Sequence, residues 1–209
     1  ASVRSYILTR LLRLNIKEAG VFVIQKEKVN DHKDWLFYYI ISLLLMFGVL
    51  KLSYIRYFND LFRFFFRTSL RINQIREQLV QSGLQSLMFN LFFALSFGLY
   101  IYLLVNYYDA SIQLNRLLLP FLATGCLVLL YGGKYFFLKV SGWLFSISNA
   151  TETYTFIIFL INKVAGIAIL PFLILIAFAQ EQLAAIAVTL SLILVVGLFM
   201  YRFLRAYQP

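Results

Sequence analysis

One lysine stands inside the most apolar part of the sequence and is the first candidate for chemistry. Residues 156–171 read FIIFLINKVAGIAILP, in which Asn162 and Lys163 interrupt a run otherwise suited to lipid. A lysine at the centre of a membrane helix costs about 2.5 to 3.5 kcal/mol, whereas the sixteen Leu, Ile, Phe and Val residues in 156–178 favour insertion by about 5 to 10 kcal/mol together. The segment is therefore expected to insert with Lys163 in it.

The sequence leaves three roles open for Lys163. In the first, the helix tilts and the side chain snorkels toward the cytoplasmic head groups. In the second, the side chain faces the bundle interior and joins helices through Asn162, Asn90 or a backbone carbonyl. In the third, it lines a path for a substrate or an ion. The third role is favoured by Pro171, because prolines kink membrane helices and a charge beside a kink is found in transporters.

The other polar candidates have simpler interpretations. Glu152 lies eleven residues before Lys163, hence on the same helical face but about 16 Å away. We expect its partner to be Lys134 or Lys139, at the same end of the neighbouring span. An asparagine such as Asn90 more often joins two membrane helices than binds a ligand.

Residue clusters of the kind that enzymes and cofactor sites use are absent from the sequence. His32 is the only histidine and Cys126 the only cysteine, so a metal site, a bis-histidine haem and a disulfide within one chain are not expected. The sequence contains no Gly-rich phosphate loop, no Gly-x-Ser-x-Gly elbow and no His-Glu-x-x-His motif. We therefore predict no catalytic residues, no cofactor and no metal.

The composition predicts that the polar candidates lie on membrane-spanning helices. Of 209 residues, 62% are hydrophobic and 13% charged, whereas soluble domains have about half and about a quarter. We predict an all-α, polytopic transmembrane helix bundle with a polar tail at 1–34 and one transmembrane domain at 35–205. Runs almost free of charge predict five spans, with a break at the YGGK sequence of the third: 35–54, 86–105, 117–140, 154–178 and 183–201.

A basic stripe follows the first span. Polar residues at a helical spacing of three or four, mostly arginines together with Asp60 and Gln74, form one face, and phenylalanines and Leu61 occupy the opposite face. The pattern predicts an amphipathic helix at about 54–82 that lies in the membrane interface and attracts anionic head groups. The stripe consists of Arg56, Arg63, Arg67 and Arg71. Although the net charge is +10, nucleic-acid binding is not expected, because the basic residues sit mostly at the ends of apolar runs.

The basic residues in the connections predict the orientation. The first connection carries six, the third two and the C-terminus two, whereas the second carries only Arg116 and the fourth none. The positive-inside rule then places the N-terminus outside and the C-terminus in the cytoplasm. The seven basic residues of the N-terminal tail argue against this orientation, although four acidic residues accompany them.

Several segments are similar to an uncharacterised family of bacterial membrane proteins. These are RYFNDLFRFFFRTSLRINQIREQL, SLMFNLFFALSFGLYIYLL and GWLFSISNATETYTFIIFLINKVAGIAILPF. The family that these segments resemble is a domain of unknown function found mainly in Bacteroidota. The resemblance implies a polytopic inner-membrane protein with an extracytoplasmic N-terminal stretch. It implies no activity or ligand, so Glu152, Tyr154, Asn162 and Lys163 match its pattern without an assigned role.

Two functions compete on these observations. The first is a non-enzymatic integral membrane subunit or scaffold of a bacterial envelope complex, whose partners are the lipid bilayer and other membrane proteins. The alternative is a small oligomeric transporter or channel that uses the polar residues around Lys163.

Overall fold

The computed structural model describes residues 34–66, 83–108, 118–146 and 148–206, which all belong to one unit, Asp34–Pro209. Every regular element in these ranges is an α-helix, so the prediction of an all-α fold is confirmed. The helices are α1 (Asp34–Ser53), α2 (Ile55–Phe66), α3 (Gly83–Tyr107), α4 (Leu118–Leu144), α5 (Ser148–Ala168), α6 (Leu170–Phe178) and α7 (Glu181–Ala206). The predictions for the tail at 1–33 and for Arg67 and Arg71 lie outside the described residues.

Five stretches among the described residues are long and apolar enough to cross a membrane, as predicted. They are Asp34–Ser53, Gly83–Tyr107, Leu118–Leu144, Thr151–Phe178 and Glu181–Leu204. The predicted break at YGGK was wrong, because α4 continues through Gly132 and Gly133. A break there would expose backbone N–H and C=O groups to lipid, which offers no replacement for the lost hydrogen bonds.

Helices α3, α5 and α6 form the centre of the bundle. Phe89, Phe92 and Leu99 of α3 are fully enclosed, and so are Ile169 and Leu173 at the start of α6. Helices α1, α4 and α7 carry many large exposed apolar side chains. Such surfaces are expected where helices face lipid or a further membrane helix.

Two glycines bring α3 close to its neighbours. A Cβ atom on Gly166 of α5 would lie 2.8 Å from the Cα atom of Phe93, and a Cβ atom on Gly98 of α3 would collide with Thr124 of α4. Small residues at such points let helix backbones approach closely, as is common in membrane bundles. The two contacts fix the positions of α4 and α5 along the axis of α3.

The fourth span is divided at Ile169, between α5 and α6. Pro171 lies in the first turn of α6 and has no N–H to donate to the preceding turn. The neighbouring backbone bonds remain, because the Ile169 N–H donates to Ala165 O at 3.0 Å and the Leu173 N–H donates to Ile169 O at 3.0 Å. The interruption is therefore local.

Helix α2 packs one face on the bundle. Tyr57, Leu61 and Phe64 are buried, whereas Arg56 and Arg63 are exposed. The ring of Phe64 meets Phe156 of α5 with centroids 5.2 Å apart, and the ring of Tyr57 stacks on Phe89 of α3 at 5.3 Å. This packing places Tyr57, a residue that the sequence reasoning did not single out, beside the two central helices.

Candidate polar sites between the helices

Lys163 is enclosed by protein and held by two hydroxyl groups. Its side chain is only 4% exposed. The Nζ atom donates to the Tyr57 hydroxyl at 2.9 Å and to Ser86 Oγ at 2.6 Å, and it also lies 5.6 Å from the centroid of the Tyr57 ring. The lysine thereby connects α5 to both α2 and α3. This geometry excludes a side chain that snorkels into the lipid head groups.

The predicted partners of Lys163 were wrong. The Oδ1 atom of Asn90 is buried without a hydrogen-bond partner, and the Oδ1 atom of Asn162 accepts from the Tyr131 hydroxyl at 3.4 Å. Side chains on a helix lean toward its N-terminus. The lysine ammonium therefore reaches the start of α3, where Ser86 lies, one turn before Asn90.

Tyr57 is a neutral partner for the lysine. Burial raises the pKa of the Tyr57 hydroxyl to about 12, and a hydrogen bond with Ser86 offsets part of that rise. The hydroxyl is therefore protonated at neutral pH and accepts from Lys163 without carrying a negative charge. The three side chains form a hydrogen-bonded cluster, which we call the lysine staple: Lys163, Tyr57 and Ser86.

A second polar group lines a cleft between α3, α4, α5 and α7, which we call the cationic cleft. Its polar walls are Tyr131, Asn162 and Arg202, and its apolar walls include Phe97, Val195 and Leu198. Asn162 and Arg202 are each 5% exposed. The Nδ2 atom of Asn162 and the Nε atom of Arg202 are buried and have no hydrogen-bond partner. Both atoms are donors.

Two cations share one tyrosine ring beside the cationic cleft. The Nζ atom of Lys134 lies 5.8 Å from the ring centroid of Tyr154, and the Cζ atom of Arg202 lies 5.9 Å from it. The predicted pairing of Glu152 with a lysine was wrong, because Glu152 is exposed, Lys134 lies over Tyr154, and Lys139 lies over Tyr135 at 6.0 Å. Glu152 is therefore an exposed side chain, and the structure adds Tyr154 to the polar residues near the cleft.

Arg202 was missed because the sequence reasoning treated it as a basic flank of the last span. A helical signal for its burial exists in the sequence. Arg202 lies seven residues after Val195 and eleven after Ser191, so the three share one face of α7. Ser191 is fully enclosed and its Oγ atom lies 2.9 Å from the Tyr100 hydroxyl. A charged residue on the same helical face as an enclosed side chain is a candidate for burial.

Neither site contains the ligands of a metal centre. Within the described ranges, no group of three or more His, Cys, Asp or Glu side chains lies close enough to hold a metal ion. Cys126 is exposed on α4. The arrangement offers hydrogen-bond donors and positive charge, which suit an anion or a hydrogen-bond acceptor.

The family comparison covers most of the chain. A family described as "Domain of unknown function (DUF4271)" matches residues 36–208. No curated protein and no solved structure matches the chain.

Proposed function

The chain belongs to the DUF4271 family, and we propose that it is a non-enzymatic, multi-pass subunit that scaffolds a protein complex in the bacterial inner membrane. The proposal is supported by the five helices that are long and apolar enough to cross a membrane. Its partners in this proposal are lipids and at least one further membrane protein. The observation that carries it is the outer face of α4.

One face of helix α4 packs into the bundle, and three glycines lie on its outward face. A Cβ atom on Gly125, Gly132 or Gly133 would meet no atom within 4 Å, whereas one on Gly98 or Gly166 would meet a neighbouring helix. Glycines inside this bundle are thus used for close helix contact. Three more on an exposed face favour a partner helix that packs there.

Bulky apolar side chains flank these glycines. Trp143 is 81% exposed, Leu129 76% and Phe137 73%. Glycines beside large apolar groups give a surface with depressions and ridges, which suits van der Waals packing against another helix. This surface supports a scaffolding role for α4.

The lysine staple supports a structural role for the bundle interior. A transport site needs groups that a passing substrate can contact, whereas Lys163 is enclosed and donates to Tyr57 and Ser86. Its hydrogen bonds connect three helices and stabilise their arrangement.

Replacing one α4 glycine by leucine tests the proposal. Gly132→Leu fills the outer face of α4 without a clash inside the chain, and Gly197→Leu is the matched control because its Cβ position on α7 is also open. The chain is purified in mild detergent and partner proteins are quantified by mass spectrometry. We expect a stoichiometric membrane partner that Gly132→Leu removes and Gly197→Leu retains. A chain that purifies without other proteins in every variant contradicts the scaffold.

The alternative function is a small oligomeric transporter or channel. The cationic cleft favours it, because Asn162 and Arg202 present unpaired buried donors between four helices. Purification as a homo-oligomer that contains no other protein would support this alternative. In that case, Arg202→Gln is expected to abolish transport while leaving the oligomer intact.

A further inference from the structure

The cationic cleft contains donors whose acceptors are missing. Arg202 and Asn162 are 95% buried, yet Arg202 Nε and Asn162 Nδ2 bond to nothing. A buried donor without an acceptor costs about 1 to 3 kcal/mol, and more when it is charged. Two such donors on the walls of one cleft indicate an acceptor that is not among the described residues.

No described carboxylate provides that acceptor. The acidic residues within the described ranges are Asp34, Asp60, Glu152 and Glu181. None of the four bonds to Arg202 Nε or Asn162 Nδ2, which have no hydrogen-bond partner. A second cation, Lys134, lies over the same tyrosine ring as Arg202, which increases the positive charge near the cleft. The missing acceptor is therefore expected to be an anion.

The position of the cleft points to the membrane. Arg202 lies in the last turns of α7, and the neighbouring Tyr201 donates to Phe65 O at the end of α2 at 2.6 Å. Val195 lies seven residues earlier, about 10 Å further along the helix. The cleft thus has charged donors near one end of the bundle and apolar walls deeper in it.

We propose that the cationic cleft binds a phosphate group, and that this phosphate is the head group of an anionic phospholipid. Arg202 and Asn162 donate to the phosphate oxygens, Lys134 adds charge outside them, and an acyl chain lies along Val195 and Leu198. An arginine suits phosphate because its planar guanidinium donates two parallel hydrogen bonds.

The size of the cleft agrees with a partly inserted head group. The cleft has room for about one water-sized group. A phosphate oxygen is about as large as a water molecule and fits there, while the rest of the head group stays in the open part. A bulky soluble ligand does not fit.

Lipid binding to the purified chain tests the proposal. Native mass spectrometry counts bound lipids after exposure to mixed micelles of phosphatidylglycerol or of phosphatidylcholine, and a third sample receives inorganic phosphate alone. We expect a phosphatidylglycerol adduct that survives detergent exchange and raises the unfolding temperature. Arg202→Gln is expected to weaken it about ten- to hundredfold, the effect of losing a charged hydrogen bond.

Two further variants separate binding from folding. Lys139→Gln removes an exposed cation of α4 that does not line the cleft, so it should retain the lipid. Val195→Phe fills the apolar part of the cleft without touching a charge, so it should weaken the lipid but not inorganic phosphate. If Arg202→Gln fails to fold, the binding of phosphatidylglycerol to Val195→Phe and Lys134→Gln still tests the site. Both variants should bind this lipid more weakly than the natural chain.

The outcomes separate the possible ligands. Inorganic phosphate could stabilise the chain in a way that requires Arg202, with no further stabilisation by phosphatidylglycerol. That result supports the phosphate site and assigns it to a soluble anion. Equal binding of both lipids, or unchanged binding in Arg202→Gln, overturns the proposal. A partner protein whose carboxylate cross-links to the cleft also overturns it, because the acceptor is then a side chain.

Discussion

Lys163 is held inside the bundle by two hydroxyl groups instead of a carboxylate. Burying an ammonium group costs several kcal/mol even after relaxation. Each hydrogen bond to a charged group contributes about 1.5 to 3 kcal/mol. The hydrogen bonds to Tyr57 and Ser86 therefore offset most of the cost of burying the charge. Removing one of these bonds should destabilise the protein more than removing the lysine charge itself.

The first prediction concerns this dependence. Tyr57→Phe in the natural chain should lower the free energy of unfolding by about 1.5 to 3 kcal/mol, because Lys163 loses a charged hydrogen bond. In a chain that already carries Lys163→Met, the same change should cost less than about 1 kcal/mol. Lys163→Met alone should be nearly neutral, because it removes the buried charge and leaves Tyr57 and Ser86 to bond each other. Thermal or denaturant unfolding in detergent measures all four chains.

The coupling between the two positions is the decisive quantity. A double-mutant cycle with a coupling of at least about 1 kcal/mol supports the lysine staple. Tyr54→Phe, a nearby tyrosine that is half-buried, is the control and should show no coupling to Lys163. Equal costs of Tyr57→Phe with and without the lysine contradict a structural role for the charge.

Sequence reasoning identified the correct helix for one partner of Lys163 but the wrong residue. Asn90 and Ser86 lie one turn apart on α3, and the lysine reaches the earlier turn because its side chain leans toward the start of its own helix. Tyr57 is 106 residues away in the chain. No pattern in a single sequence states that α2 folds back onto α5, so this partner required the structure.

Close packing between α3 and α5 gives the second prediction. The Cβ atom of Gly166→Ala would approach Phe93 Cα to 2.8 Å, so the helices must move apart. We expect a loss of about 1 to 3 kcal/mol in the free energy of unfolding, the usual cost of overpacking. Gly133→Ala on α4 meets open space and should be neutral or stabilising by up to about 1 kcal/mol, because alanine favours helix.

The two alanine variants are compared by unfolding in the same detergent. A Gly166→Ala chain as stable as the Gly133→Ala chain would show that α3 and α5 are not in close contact.

Helix α2 gives the third prediction, on a Cys126→Ser background because Cys126 is exposed. Cysteine at Arg63, which is exposed, should react with a water-soluble maleimide. Cysteine at Leu61, which is 1% exposed, should remain unlabelled. We expect at least a tenfold difference in labelling rate, because only one position faces the aqueous interface. Equal rates contradict a helix with one face on the bundle.

The elements were largely predictable because their signals are local. Apolar runs longer than about 17 residues have few alternatives to a membrane helix, so five spans follow from the sequence. The glycine pair in α4 misled the prediction, since glycine is a helix breaker in water but is tolerated where the backbone has no other partner. The face that Arg202 shares with Ser191 and Val195 makes it a candidate for burial, but which helices cover it depends on where α4 and α5 lie.

The segments next to the basic connections lie at one end of the bundle. The Tyr201 hydroxyl donates to Phe65 O, and Phe64 meets Phe156, so the end of α2, the start of the fourth span and the end of α7 lie close together. The first and third connections and the C-terminus carry more lysine and arginine than the second and fourth connections, although the N-terminal tail, with seven basic residues, departs from this pattern. The packing places the end of α2, the start of the fourth span and the end of α7 at one end of the bundle, which agrees with the predicted topology.

The last prediction is the orientation of the whole molecule. Basic connections remain in the cytoplasm because lysine and arginine cross the membrane poorly and are attracted to anionic lipids on that side. Reporter fusions after Gln81, Ser148 and Pro209 should therefore give a cytoplasmic signal, and fusions after Ser111 and Gln180 an extracytoplasmic one. The opposite signals at all five positions would keep the five spans and reverse the orientation. The same signal at Gln81 and Ser111 would remove the second span and with it the arrangement in which Lys163 reaches Ser86.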